Sequence, residues 1–270
     1  MNVQKILVPV DFTETTEKAI ELAVHVAGKS NMAVSLIHVA TGKSKLDCEE
    51  KLKELSAQYH AKSGVTIDCI LNQGNIISEL TKASGSGEFG LMVIGSHGFK
   101  GIREKVFGAD ILKLLKNIPI PALTIQNGFQ IKKNLFDSIL FPSSSHDSLV
   151  HKINATIFIA KLFDSEVHIY SVEKPGVAWS EKLVNNINKA RQAFDQNHIP
   201  FINVKEPQSA FSVGYAKQIM DYAKRTRTNL IALMSNPTVE HYYIADADKE
   251  IILTNDASIP VLSTNEKSVI

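Results

Sequence analysis

The strongest constraint on the fold of this chain is that it is written twice. From Lys5 it reads "KILVPVDFTETTEKAIELAVHVA", and from Ser138 "SILFPSSSHDSLVHKINATIFIA". Each stretch is a short apolar run broken by proline, then polar helix-starting residues, then apolar residues at helical spacing. The ends of the two copies match too: "LMVIGSHG" (Leu91 to Gly98) parallels "LIALMSNP" (Leu230 to Pro237), and "NIPIPALTI" parallels "DASIPVLST". The offset is 133 residues at the front and 139 at the back. A repeat this long is a pair of domains, not a solenoid.

Within each copy, strand and helix signals alternate. The first copy carries "KILVPV", "AVSLIHV", "VTIDCIL", "LMVIG" and "IPALTI". Between them, residues such as Ala19, Ile20, Ala23, Val24 and Ala27 fall on one helical face. The second copy repeats the series at Ile139–Phe141, Val167–Ser171, Phe201–Lys205, Leu230–Met234 and Pro260–Ser263. Strands apolar almost throughout, separated by helices, predict a parallel sheet covered on both faces. Right-handed crossovers then give two tandem, doubly wound, five-stranded α/β domains. They are expected over 1–127 and 136–270, joined by "NGFQIKKN".

Of the 270 residues 44% are apolar, and the net charge is +1, so electrostatics supplies no reason to expect nucleic acid or an anionic membrane as partner. The one basic cluster, "KRTR" at Lys224 to Arg227, falls where a helix should end and suits the helix dipole. No apolar run approaches the roughly 20 residues that span a bilayer, and the N-terminus enters a strand directly with no leader-like segment. Cys48 and Cys69 are too few for a disulfide framework or a metal site. These features predict a cytoplasmic chain with reduced thiols.

An open parallel sheet binds ligands beyond the carboxyl ends of its strands, where the winding reverses. There the first copy delivers Pro9, Val10 and Asp11 from strand one, and His38, Val39 and Ala40 from strand two. Strand four delivers Ile94 and the loop "GSHGFKGIREKVFGAD". Asp11 can accept hydrogen bonds from a sugar hydroxyl or a purine amino group; it can equally cap the helix that follows. Gly95 and Gly98 admit close approach of a ligand to the backbone. Gly108, at a helix start, sits where free N–H groups favour phosphate. Lys100, Arg103 and Lys105 can add charge, although each is a good solvated side chain. His97 has no sequence-visible partner for base catalysis. "GSGEFG", Gly85 to Gly90, precedes a strand instead of following one, so it reads as a turn; no P-loop, H-E-x-x-H or G-x-S-x-G occurs.

These residues resemble the universal stress protein (UspA-like) family. The resemblance rests on "ILVPVDFTETTEKAIELA", on Gly74-Asn75 before a helix, and on the spacing G-x-x-G-x9-G met by Gly95, Gly98 and Gly108. It covers residues 3–126 and, more weakly, the remainder. It implies a Rossmann-like fold of the adenine-nucleotide alpha-hydrolase kind, with the two copies paired through their last strands as an intramolecular pseudo-dimer. It also implies an adenine nucleotide (ATP, or ADP or AMP, with Mg2+ as an optional companion) held by the first copy as a sensor or switch. Asp11 and Val39 would take the adenine and ribose side, flanked by Pro9, Val10 and Ile94. Gly95, Ser96, His97, Gly98 and Gly108 would line the phosphates, and Ala109 and Asp110 would complete the cradle.

The sequence departs from the family pattern at that last point. Binding members carry Ser or Thr after the third glycine, where this chain has Ala109 and then Asp110. One hydrogen bond lost to a charged group is worth about 1.5–3 kcal/mol, roughly ten- to hundredfold in affinity. The second copy departs further: Ser144 stands for Asp11, and Met234, Pro237 and Ala247 stand for the three glycines. That pattern predicts a structural partner without a nucleotide site. The alternative is a ligand-free interaction scaffold with both sites decayed. No dedicated catalytic group is visible, so efficient catalysis is not expected, slow ATP hydrolysis aside. The protein partner is unidentified, and further association of two tandem chains is compatible with the pattern.

Overall fold

A computed structural model describes residues 5–40, 45–96, 107–173, 175–208, 215–236 and 246–269. In the first half the elements are β1 (Lys5–Pro9), α1 (Glu14–Ser30), β2 (Ala33–Ala40), α2 (Lys45–Ser63), β3 (Ile67–Gln73), α3 (Ile76–Ser84), β4 (Phe89–Gly95), α4 (Phe107–Asn117) and β5 (Ala122–Ile125). The second half repeats the order with β6 (Ser138–Pro142), α5 (Leu149–Phe163), β7 (Glu166–Glu173), α6 (Glu181–Gln196), β8 (Phe201–Pro207), α7 (Tyr215–Thr226), β9 (Leu230–Met234), α8 (Asp246–Leu253) and β10 (Val261–Thr264). Every strand expected from the sequence is present.

All the strands join in one sheet, ordered β3-β2-β1-β4-β5-β10-β9-β6-β7-β8. Pairing within each half is parallel. At the centre β5 meets β10 antiparallel, Leu123 opposite Leu262, which makes the chain an intramolecular pseudo-dimer. Winding reverses between β1 and β4, and again between β6 and β9. Because β5 and β10 run in opposite directions, the carboxyl ends of the two sets of strands lie at opposite ends of the sheet.

The inner strands are buried on both faces because helices cover both. Each face carries one apolar cluster that runs through both halves: Ile6, Leu123, Phe141 and Leu262 on one, Leu7, Ala122, Leu140 and Val261 on the other. Helix α1 buries the stripe Ala19, Ile20, Leu22, Ala23, Val26 and Ala27. The duplication extends to helix ends, since α1 stops at Asn31 (φ 55°) and α5 at Asp164 (φ 53°), both left-handed.

The seam between the halves is sealed by reciprocal caps. Gln126, just past β5, donates from Nε2 to the Leu253 carbonyl at the end of α8 (2.9 Å). Asn265, just past β10, donates from Nδ2 to Leu115 and Ile118 carbonyls at the end of α4 (2.8 and 2.6 Å). The connecting segment is packed as well: Phe129, Leu135 and Phe136 are buried in the core, and Phe136 meets Phe163 edge-on at 5.1 Å. Lys224 and Arg225 occupy the last turn of α7, where they pair with Asp256 and Glu206.

Candidate functional site

The first-half site grows out of the reversal between β1 and β4. Val10 N donates to Ile37 O (2.8 Å), carrying the β1–β2 pairing one residue beyond Pro9. His38 donates from Nδ1 to Val10 O (2.7 Å) and packs on Phe12, ring centroids 4.8 Å apart. Asp11 Oδ1 accepts from Thr13 N (3.1 Å), Thr13 Oγ1 (2.6 Å) and Thr16 Oγ1 (2.5 Å). These bonds fix the β1–α1 turn just ahead of α1, whose N-cap is Thr13, so Asp11 braces the turn and is not itself the helix cap. Val10, Val39 and Ile94 turn their side chains into the core, so only their backbone can face a ligand. Ser96 is buried and its N–H donates to Ile125 O (2.7 Å).

Gly95 has a packing reason of its own. A Cβ there would lie 2.6 Å from Thr15 Cγ2 and 3.2 Å from Thr15 O, so its missing side chain lets α1 close on β4. Gly108, Ala109 and Asp110 fall in the first turn of α4, whose N-terminal end suits an anion. Thus Pro9, Val10, Asp11, Val39, Ile94, Gly95 and Ser96 share the carboxyl edge of β1, β2 and β4. His97, Gly98, Lys100, Arg103 and Lys105 lie outside the described residues.

The matching edge of the second half, beyond β6, β7 and β9, encloses a cavity of about 170 Å³. Its walls include Tyr170, Val172, Ile219, Leu233 and Met234, with Trp179 at the side and Ser143 and Ser144 on the β6–α5 loop. Two lysines also line it. Lys152, on α5, is 2% exposed; its Nζ donates to Pro142 O (2.6 Å) and lies 3.9 Å from the Phe141 ring centre. Lys249, on α8, is 1% exposed and donates to Ser235 O (3.1 Å). Burial lowers Lys152 to about 7 and Lys249 to about 8. Burial, with the nearby lysine charges, lowers His146 to about 3.

The family profile of the universal stress proteins matches residues 2–126. The match spans β1 to β5, so the first half is a universal stress protein domain. Among solved structures it is similar to a universal stress protein of Archaeoglobus fulgidus, 17% identical, covering 98% of this chain and 100% of that one, TM-score 0.74. It is also similar to PA1789 of Pseudomonas aeruginosa, described as functionally unknown, 17% identical over 97% of this chain and 92% of that one, TM-score 0.63. The cytoplasmic domain of a prokaryotic cation chloride cotransporter shares the architecture at 10% identity, covering 98% of this chain and 97% of that one, TM-score 0.56. No curated protein is significantly similar in sequence. These likenesses establish the doubled universal stress protein fold end to end.

Lys152 and Lys249 are the residues that reading the sequence for family motifs passes over. Their signal lies in the duplication: Lys152 stands where the first half has the core residue Ala19, and Lys249 where it has Asp110. A lysine on the buried stripe of a universal stress protein helix is the mark to look for.

Proposed function

We propose that this universal stress protein binds an adenine nucleotide (ATP, ADP or AMP) in its first half and acts as a sensor or switch, not as an efficient enzyme. The observation that carries this reading is the convergence of the carboxyl ends of β1, β2 and β4 with the N-terminal turn of α4 at the first winding reversal. The spacing of Gly95, Gly98 and Gly108 supports it from the sequence. In this reading the backbone at Val39 and Val10 meets the adenine and ribose, and the α4 N-terminus meets the phosphates. Asp11 then works chiefly by rigidifying the β1–α1 turn, since its Oδ1 already accepts three hydrogen bonds.

Asp110 in the first turn of α4 favours a ligand of lower charge, so AMP or ADP should compete well with ATP. Among the described residues no cluster of three His, Cys, Asp or Glu side chains could hold a metal, so any Mg2+ would arrive with the phosphates. The proposed setting is the cytoplasm, and no described helix is long and apolar enough to cross a membrane. The bound nucleotide would alter the contact with a protein partner, in a single chain or a homodimer of tandem chains. The test is to denature the purified protein, identify released nucleotide by chromatography, and repeat with Gly98→Val. Nucleotide near one per chain that the substitution removes supports the reading. None released, and no heat on adding ATP, ADP or AMP, leaves the ligand-free scaffold.

A further inference from the structure

The second-half cavity has chemistry that a structural copy does not need. It holds two buried amines, and among the described residues no carboxylate lies within ion-pair distance of either. An unpaired buried ammonium is strongly unfavourable, and an aliphatic residue at either position would pack without that cost. Phe141 and the Pro142 carbonyl hold the Lys152 amine in place without neutralising it.

The β6–α5 loop completes the picture. Asn186, on α6, donates to the backbone carbonyls of Ser144 (2.8 Å) and His146 (2.9 Å), pinning the loop from behind. The hydroxyls of Ser143 and Ser144 are buried and have no hydrogen-bond partner, although buried hydroxyls are nearly always satisfied. Lys152, Lys249, Ser143 and Ser144 therefore all belong to the lining of one mostly apolar hollow. At about 170 Å³ it is close to the size of engineered cavities of about 150 Å³ that accept benzene.

We infer that this cavity is a binding site for a small organic oxyanion, a carboxylate or phosphate monoester carried on a body the size of one ring. The head group sits between Lys152, Lys249 and the Ser143 and Ser144 hydroxyls. The ring lies against Tyr170, Ile219 and Leu233, with Trp179 at the side. The first half cannot offer this chemistry, because it has Ala19 and Asp110 where the two lysines stand. The inference is independent of nucleotide binding in the first half, because the two edges lie at opposite ends of the sheet.

Trp179 is the only tryptophan in the chain, so its emission reports this cavity directly. Phenyl phosphate, benzoate and the neutral benzyl alcohol are titrated against intrinsic fluorescence. A saturable change for either anion, at least tenfold tighter than for benzyl alcohol, is expected; which anion wins decides between phosphate monoester and carboxylate. Lys249→Met should weaken the anion at least tenfold and leave benzyl alcohol unchanged. Lys152→Met should do the same, and if it does not fold, the double variant Ser143→Ala, Ser144→Ala takes its place, with a weaker loss. The inference is overturned by no emission change up to about 10 mM, by equal affinity for the neutral ring, or by anion binding that survives Lys249→Met. ATP displacing the probe at lower concentration than the probe itself requires would make this a nucleotide site and also overturn it.

Discussion

Lys152 is the residue on which the second half turns, and its energetics can be read without any ligand. In the unfolded chain its amine titrates near the ordinary lysine value, whereas burial in the fold lowers it to about 7. Between those values the unfolded state holds the extra proton, so folding stability rises with pH across that window. Below pH 7 both states are protonated and the full cost of the buried charge remains. Lys249, lowered to about 8 by burial, adds to the upper part of the rise. His146, lowered to about 3, makes a separate rise between about pH 3 and 6.5. We predict that urea unfolding midpoints increase from pH 7 to 9, equivalent to about 2–4 kcal/mol. Lys152→Met should flatten that increase and raise stability at pH 7. A pH-independent midpoint, or a falling one, would contradict this account. Family motifs do not reveal Lys152, because a lone lysine on a helix reads first as a solvated side chain.

At the scale of elements, most of the structure was legible. Parallel strands covered on both faces must be apolar throughout, which is why runs such as "LMVI" located β4 and its relatives. The β1–α1 turn was legible only as a choice, Asp11 as cap or as ligand group; in the structure Asp11 braces the turn through Thr13 and Thr16, and Thr13 is the N-cap. The glycines divide similarly. Gly74 (φ 143°) precedes Asn75, which caps α3 by accepting from Ser78 N (3.1 Å); the sequence was read only as placing a helix after this pair. Gly95 was read as room for a ligand, yet its proximity to Thr15 shows α1 lying on β4, a contact between elements distant in sequence order that periodicity does not predict. We predict that Gly95→Ala destabilises the protein by about 1–3 kcal/mol with no ligand present. Thr15→Ser should recover most of that loss by removing Cγ2 while retaining the hydroxyl that donates to Asn127 Oδ1 (3.1 Å). Loss of nucleotide with unchanged stability in Gly95→Ala would instead assign this glycine to the ligand alone.

Across the whole molecule, duplication has produced one sheet with two unlike edges. The β5–β10 pairing and the caps from Gln126 and Asn265 make each half complete the other. Lys116 of α4 and Asp246 of α8 add an ion pair across the seam (2.6 Å). The repeat forecast two such halves, and the family resemblance forecast how they join. Burial of Phe129, Leu135 and Phe136 in the connection was hidden by the polar "NGFQIKKN" around them, since burial there depends on the neighbouring α5 residue Phe163. The two cores were conserved by the repeat while the two edges diverged, with Asp110 on one and Lys249 on the other. The central claim is thus one nucleotide edge and one separate edge for a smaller anion. Its most direct test is calorimetric titration of ADP into the nucleotide-free protein, with and without saturating phenyl phosphate. One nucleotide per chain in both titrations is the result predicted; two per chain that fall to one, or one that falls to none, when phenyl phosphate is present would contradict it.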